Sequence, residues 1–340
     1  MRKLQNQAQE LLNQGIDGIP LLRLEKEKAF SRFKSPRTIQ CKPFDLGHME
    51  AAWFTPQDFK HPNKVILYLH GGGYTTGSFN SHRGLIGKLS TELGAKTLGI
   101  NYRLAPEHPY PAALDDSIFA YKWLLEHEHY NPKDIIIIGD SAGGGLTLAT
   151  LLRIREEKLP QPLTAVMMSP WTDLAITGES ALINPEKDPL LVSKNAKEWG
   201  LWYAGKESIL HPFVSPLYGN LSDLAPMLVQ VGTEEILLND STRLENKIKH
   251  AKNTSLTVDV WSGMPHVWQF GWQYIPESKK AIKQIISYVE HQIENAKAPT
   301  SIITPDNLAS KGLTQKTLDL AQVSFETVKL GAKALKNSWK

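Results

Sequence analysis

A single cysteine, Cys41, stands in 340 residues. It leaves no intramolecular disulfide and no thiolate metal cluster to build on, which fits a reducing compartment. Long apolar runs are missing too. No stretch approaches the roughly 18 residues of a membrane span, and the amino-terminal MRKLQNQAQELLNQGIDGIP has no apolar core of the kind a secretory signal needs. A cytoplasmic setting is therefore expected. Charge of one sign is scarce, at +3 net, and the lysines are scattered rather than interleaved with aromatics, which argues against a nucleic-acid partner. HExxH, P-loop and GxGxxG patterns are all absent, so neither a metal nor an organic cofactor is expected. What remains is a chain with 41% hydrophobic and 21% charged residues, the composition of a globular protein with a sizeable core.

That core has a legible order. Residues 4–33 carry a helical leucine pattern broken by a turn at Gly15–Pro20. Short apolar runs follow at Val65–His70, Thr97–Tyr102, Ile135–Ile138, Ala165–Met168, Met227–Val231 and Leu256–Trp261. Each is bounded by Gly, Pro or Asp, as buried strands of a parallel sheet are. Helical patterns lie between them, near Ser81–Leu93, Pro111–Glu126, Gly144–Glu157, Asp240–His250 and Glu277–Asn295. The alternation predicts an α/β architecture, a mostly parallel sheet with helices on both faces, in which ligands bind beyond the carboxyl ends of the strands. Residues 174–216 break the alternation and read as an insertion over that edge.

Two glycine-rich motifs sit at such strand ends. Gly139-Asp140-Ser141-Ala142-Gly143 follows four isoleucines and precedes a helix. Small residues around a serine in this position suit a strained strand-to-helix turn that lifts the hydroxyl above the sheet. His70-Gly71-Gly72-Gly73 ends the first apolar run and can aim backbone N–H groups at a ligand, together with the N–H of Ala142.

A serine needs a base, and the base an orienting acid. In the order Ser, acid, His, the histidine belongs in the loop after the last strand, where SGMPHVWQF places His266, the leading candidate among eleven histidines. The acid belongs after the preceding strand, where LVQVGTEEILLNDS offers Glu234, Glu235 and, further on, Asp240. Trp199, Trp202, Trp268 and Phe270 either line an apolar substrate pocket or belong to the core.

HGGGY, NYRLAPEHPYPAALDD, GDSAGGGL, SPWTDL and GMPHVW together resemble the hormone-sensitive-lipase-like family of α/β-hydrolase esterases over residues 65–295. The resemblance implies an eight-stranded, mostly parallel sheet with a helical cap. It implies Ser141 as nucleophile, His266 as base, and Gly72, Gly73 and Ala142 as oxyanion donors. A gapless match of EILLND to the family's acid motif puts the acid at Glu235, with Glu234 in the position before it. Domain limits follow: a cap segment at 1–42, a catalytic domain at 43–297 with a cap insertion at 174–216, and a linker and amphipathic helix at 298–340. The implied reaction is hydrolysis of short- to medium-chain carboxylic esters of small molecules through an acyl-enzyme. The alternative is a small-molecule receptor on the same fold, as in the plant gibberellin receptors of this family, which depart from the triad histidine. Arg103, Glu107 and Asp115 are expected to form supporting ion pairs. In the tail, Leu318, Ala321, Phe325, Val328, Ala332, Leu335 and Trp339 make a heptad stripe whose apolar face needs a partner: the hydrolase body, a second copy, or a membrane or lipid surface.

Overall fold

Isoleucines 135 to 138 define the centre of the molecule. In the computed structural model, which describes Leu11 and residues 15–297, they form the middle of β5 (Ile135–Asp140), buried along its whole length. Side chains alternate across a strand. Ile135 and Ile137 therefore enter the core on one face of the sheet, and Ile136 and Ile138 the core on the other. A strand covered on both faces has no polar side, which is why this one reads as an unbroken apolar run.

Around it lie β1 (Ile39–Leu46), β2 (Met49–Pro56), β3 (Val65–Leu69), β4 (Lys96–Ile100), β6 (Thr164–Met168), β7 (Met227–Gly232) and β8 (Leu256–Trp261), in the order β1-β2-β4-β3-β5-β6-β7-β8. Pairing is parallel from β4 through β8, and antiparallel where β2 meets β1 and β4. The fold is thus the expected one: eight strands, mostly parallel, with helices on both faces. Helices α1 (Ile19–Phe30), α2 (Arg83–Leu93), α3 (Ala112–Glu126), α4 (Ala142–Glu156), α5 (Ser180–Ile183), α6 (Ser193–Ala204), α7 (Leu238–Ile248) and α8 (Pro276–Lys297) complete it. Leu85, Ile86 and Leu89 of α2 and Ile282, Ile285 and Val289 of α8 close one core, while α3, α4 and α7 contribute to the other. Each fully buried isoleucine or leucine stabilises the fold by about 1.5–3 kcal/mol relative to exposure.

The boundary expected at residue 42 falls inside β1 and is corrected: residues 39–42 belong to the sheet. β1 and its partner β2 form a hairpin about Gly47 and His48, with φ 66° at Gly47. Residues 174–216 contain α5 and α6, as an insertion between β6 and β7. The described residues up to Ile293 form one compact unit. The linker and heptad helix expected at 298–340 lie outside the described residues. No described helix is long and apolar enough to cross a membrane.

Candidate active site

Ser141 sits between β5 and α4 with φ 54° and ψ −122°, a region that L-residues rarely adopt. Its surroundings hold it there. Its N–H donates to the Met168 carbonyl at 2.8 Å, and its carbonyl accepts from Trp171 N–H at 2.9 Å and Gly145 N–H at 3.1 Å. The flanking glycines are steric necessities. A Cβ on Gly139 would stand 2.2 Å from the Gly143 carbonyl oxygen, and one on Gly143 would stand 2.0 Å from that of Leu69. The turn brings the serine to the carboxyl edge of the sheet, only 8% exposed.

The loops after β7 and β8 bring two further groups to the same place. His266 Nε2 lies 2.9 Å from Ser141 Oγ, and His266 Nδ1 lies 2.9 Å from Glu235 Oε2. A carboxylate only accepts, so Nδ1 carries the proton and Nε2 is left to accept from the serine. Glu235 Oε1 accepts from Gly232 N–H at 2.6 Å and from the Ser169 hydroxyl at 2.8 Å. The Ser169 hydroxyl in turn accepts from Val267 N–H at 3.0 Å. Burial alone would lower the pKa of His266, but the hydrogen bond and charge of Glu235 outweigh it and hold the imidazole above the ordinary 6.5. Among the described residues no hydrogen bond joins Glu234 to His266. Asp240, the third candidate acid, is engaged elsewhere: it accepts from Thr172 N–H at 2.6 Å and Asp173 N–H at 2.8 Å.

Gly72 and Gly73 lie in the loop after β3 with φ 119° and 66°. The Gly72 carbonyl is turned into the loop, where Thr76 N–H at 3.0 Å and the Thr76 hydroxyl at 2.8 Å donate to it. No acceptor among the described residues takes the N–H of Gly72 or Gly73. The N–H of Ala142, at the first position of α4, is one of the donors a helix cannot satisfy internally. Gly71, just before this pair, donates its N–H to Asp140 Oδ1 at 3.1 Å. Asp140 also accepts from Tyr68 at 2.6 Å, so the residue beside the serine anchors the neighbouring loop.

Ser141, His266, Gly72, Gly73, Asp140 and His82 line one open pocket. The rest of its wall is mainly apolar: Phe30 from α1, Leu190, Leu191, Val192, Ala196 and Trp199 from the insertion, and Phe270 after β8. Of the tryptophans expected to bind substrate, Trp199 lines the pocket, but Trp202 and Trp268 do not. Trp202 sits three positions on in α6 and packs against the core below, and Trp268 turns its ring to Trp261, 5.7 Å away centroid to centroid. The expected ion pairs are also redistributed. Arg103 pairs at 2.7 Å with Asp116, not with Asp115, and Glu107 takes both Nη atoms of Arg23 from α1, at 2.7 and 2.8 Å.

Ser169, His82, Asp140, Asn184 and Asp188 are the contributions that motif reading missed. Asn184 Nδ2 donates to the carbonyls of Thr233 and Glu235, and Asp188 accepts from Ile236 N–H, so the insertion is tied to the loop carrying Glu235. Ser169 had a signal, since it directly follows β6 at the same sheet edge as the other site residues.

Known proteins resemble this chain closely. A family described as having the alpha/beta hydrolase fold matches residues 66–270. An acetyl-hydrolase of Streptomyces hygroscopicus is 39% identical over 70% of this chain and 78% of its own length. An esterase of Acinetobacter venetianus is 36% identical over 75% of this chain and 84% of its own. The crystal structure of an esterase from the bacterial hormone-sensitive lipase family superposes with a TM-score of 0.77 at 38% identity, covering 80% of this chain and 91% of that one. The chain belongs to the hormone-sensitive-lipase-like esterase family of the α/β-hydrolase fold. It is, in class, a carboxylic ester hydrolase.

Proposed function

We propose that the protein hydrolyses short- to medium-chain carboxylic esters through an acyl-enzyme, with Ser141 as nucleophile, His266 as general base and acid, and Glu235 as the orienting acid. The observation that carries this reading is the continuous line of contacts from Glu235 through His266 to Ser141, at 2.9 Å and 2.9 Å, opening onto an apolar pocket. Ser141 Oγ attacks the ester carbonyl while its proton passes to His266 Nε2. The oxyanion that forms accepts from the N–H groups of Gly72, Gly73 and Ala142. The tetrahedral intermediate collapses as Nε2–H protonates the leaving alkoxide. Water then attacks the acyl-serine, giving its proton to Nε2, and the acid departs as Nε2–H returns a proton to Ser141 Oγ. Glu235 keeps the proton on Nδ1 throughout and stabilises the imidazolium.

Acyl length is set by the wall that α1 and the insertion contribute. Phe30, Trp199 and Phe270 are bulky, and this favours acyl groups of a few carbons over the tails of triglycerides. Rates for p-nitrophenyl esters from acetate to dodecanoate test the reading. Activity that peaks within the shorter half of the series is expected, and a maximum at dodecanoate would overturn the length assignment.

A further inference from the structure

Lys26 is the one lysine or arginine among the described residues that line the pocket. Asp140 is committed to Tyr68, His82 and Gly71, and His266 to Glu235 and Ser141. Lys26 has no carboxylate, carbonyl or hydroxyl partner among the described residues. Its Nζ lies 4.4 Å from the centre of the Trp199 ring, whose edge packs on the oxyanion loop so closely that a Cβ on Gly73 would be 2.3 Å from it.

The backbone of α1 is fixed on both sides of this residue. One turn earlier, Arg23 grips Glu107 and donates to the carbonyls of Thr75 and Ala105 at 2.7 and 2.9 Å. One turn later, Phe30 lines the same pocket and meets the Phe270 ring at 5.1 Å. Arg23, Lys26 and Phe30 follow at helical spacing, so anchoring the first and last directs the middle one to the site. Burial pulls the Lys26 amine down from 10.5 to about 8, which leaves it mostly protonated at neutral pH. A lysine at a pocket rim ordinarily extends its ammonium into water. One held over a tryptophan in an apolar wall, with no hydrogen-bonding counter-charge among the described residues, gains most when an anion arrives.

We propose that Lys26 is a specificity-determining residue that binds a carboxylate, or a group of like charge, carried on the ester away from its reacting carbonyl. The substrate class is then esters with an anionic end, and the proposal rests on the ester-hydrolase reading of this pocket. A neutral aliphatic ester gives a cation here nothing to do, since an apolar side chain of the same length would cover Trp199 as well.

Two pairs of chromogenic esters place the charge. On the acyl side, the p-nitrophenyl monoester of glutaric acid is compared with p-nitrophenyl pentanoate, and on the alcohol side 3-acetoxybenzoate with phenyl acetate. The readout is the ratio of kcat/KM for the charged ester over its neutral partner, in wild type, Lys26→Met and Lys26→Arg. In at least one pair the ratio is expected to fall about tenfold or more in Lys26→Met, the value of a hydrogen bond to a charged group. Lys26→Arg should keep it, and the wild-type ratio should decline as pH rises through about 8. Equal ratios in wild type and Lys26→Met for both pairs would overturn the proposal. Failure of the wild type to cleave any of the four esters, charged or neutral, would instead sink the hydrolase reading. If Lys26→Met does not fold, Lys26→Gln carries the same comparison.

Discussion

The Ser169 hydroxyl donates to Glu235 Oε1 at 2.8 Å and accepts from Val267 N–H at 3.0 Å. One side chain therefore joins the acid to the residue that follows His266. Val267 has φ 46°, an unfavourable conformation for a β-branched residue, and this bond helps to hold it. Removing the hydroxyl leaves Glu235 Oε1 with the Gly232 N–H alone and orphans a buried N–H. Ser169→Ala is expected to lower kcat by about 10- to 100-fold, the range for a hydrogen bond to a charged group, with KM changed far less. Ser169→Gly, which removes the same hydroxyl and suits the φ of 48° at this position, should show a similar loss. Steady-state kinetics on the three proteins check this.

Glu235→Gln is expected to reduce kcat/KM by about 10⁴-fold, as neutralising the acid of a Ser-His-Asp triad does, whereas Glu234→Gln should stay near wild type. The pH profile adds a sign. Neutral His266 is the competent form, so activity rises with pH through its pKa. Glu235 is what raises that pKa, against the opposing effect of burial. Without the carboxylate the rising limb should move to lower pH. A limb that stays in place or moves up would remove Glu235 from the role.

Two glycines separate steric necessity from backbone strain. Gly143 has the Leu69 carbonyl oxygen 2.0 Å from where its Cβ would be, whereas Gly263, at φ 71°, has nothing within 4 Å. Gly143→Ala must displace a backbone of the central sheet, and should cost several kcal/mol or prevent folding. Gly263→Ala carries only the conformational penalty of about 1 kcal/mol. Urea unfolding of both variants measures the difference.

The sheet from β3 to β8 was legible because strands buried on both faces, such as VILYL and IIIIGD, read as apolar runs between turn residues. β1 and β2 were not. IQCKPFDL lies at the sheet edge with a mixed, half-exposed sequence broken by a proline, and MEAAWFTP is diluted by alanine. At the site, strand-end position and chain order identified Ser141 and His266 as candidates. The ion-pair partner of Arg103 could not be read so easily: Asp115 and Asp116 are neighbours in sequence but about 100° apart around α3, and only Asp116 turns inward. The same geometry hid Ser169 and His82, whose partners come from other loops.

Every residue assigned to the site lies between Lys26 and Phe270. Deletion of residues 300–340 is therefore expected to leave kcat/KM for a short-chain ester within a few-fold of the full chain. A folded but inactive truncation would show that the tail helps to build the site.

The acyl-enzyme at Ser141 is tested most directly by trapping it. A p-nitrophenyl phosphonate ester places a tetrahedral, slowly released group on an activated serine. Intact-mass and peptide analysis should show one adduct per chain on the peptide containing Ser141, with hydrolysis lost in step. Ser141→Ala should take up no adduct and lose about 10⁶-fold in kcat, as removal of a triad nucleophile does. Inactivation with the adduct on any other residue, or a folded Ser141→Ala protein that still turns over esters at an appreciable rate, would contradict the account.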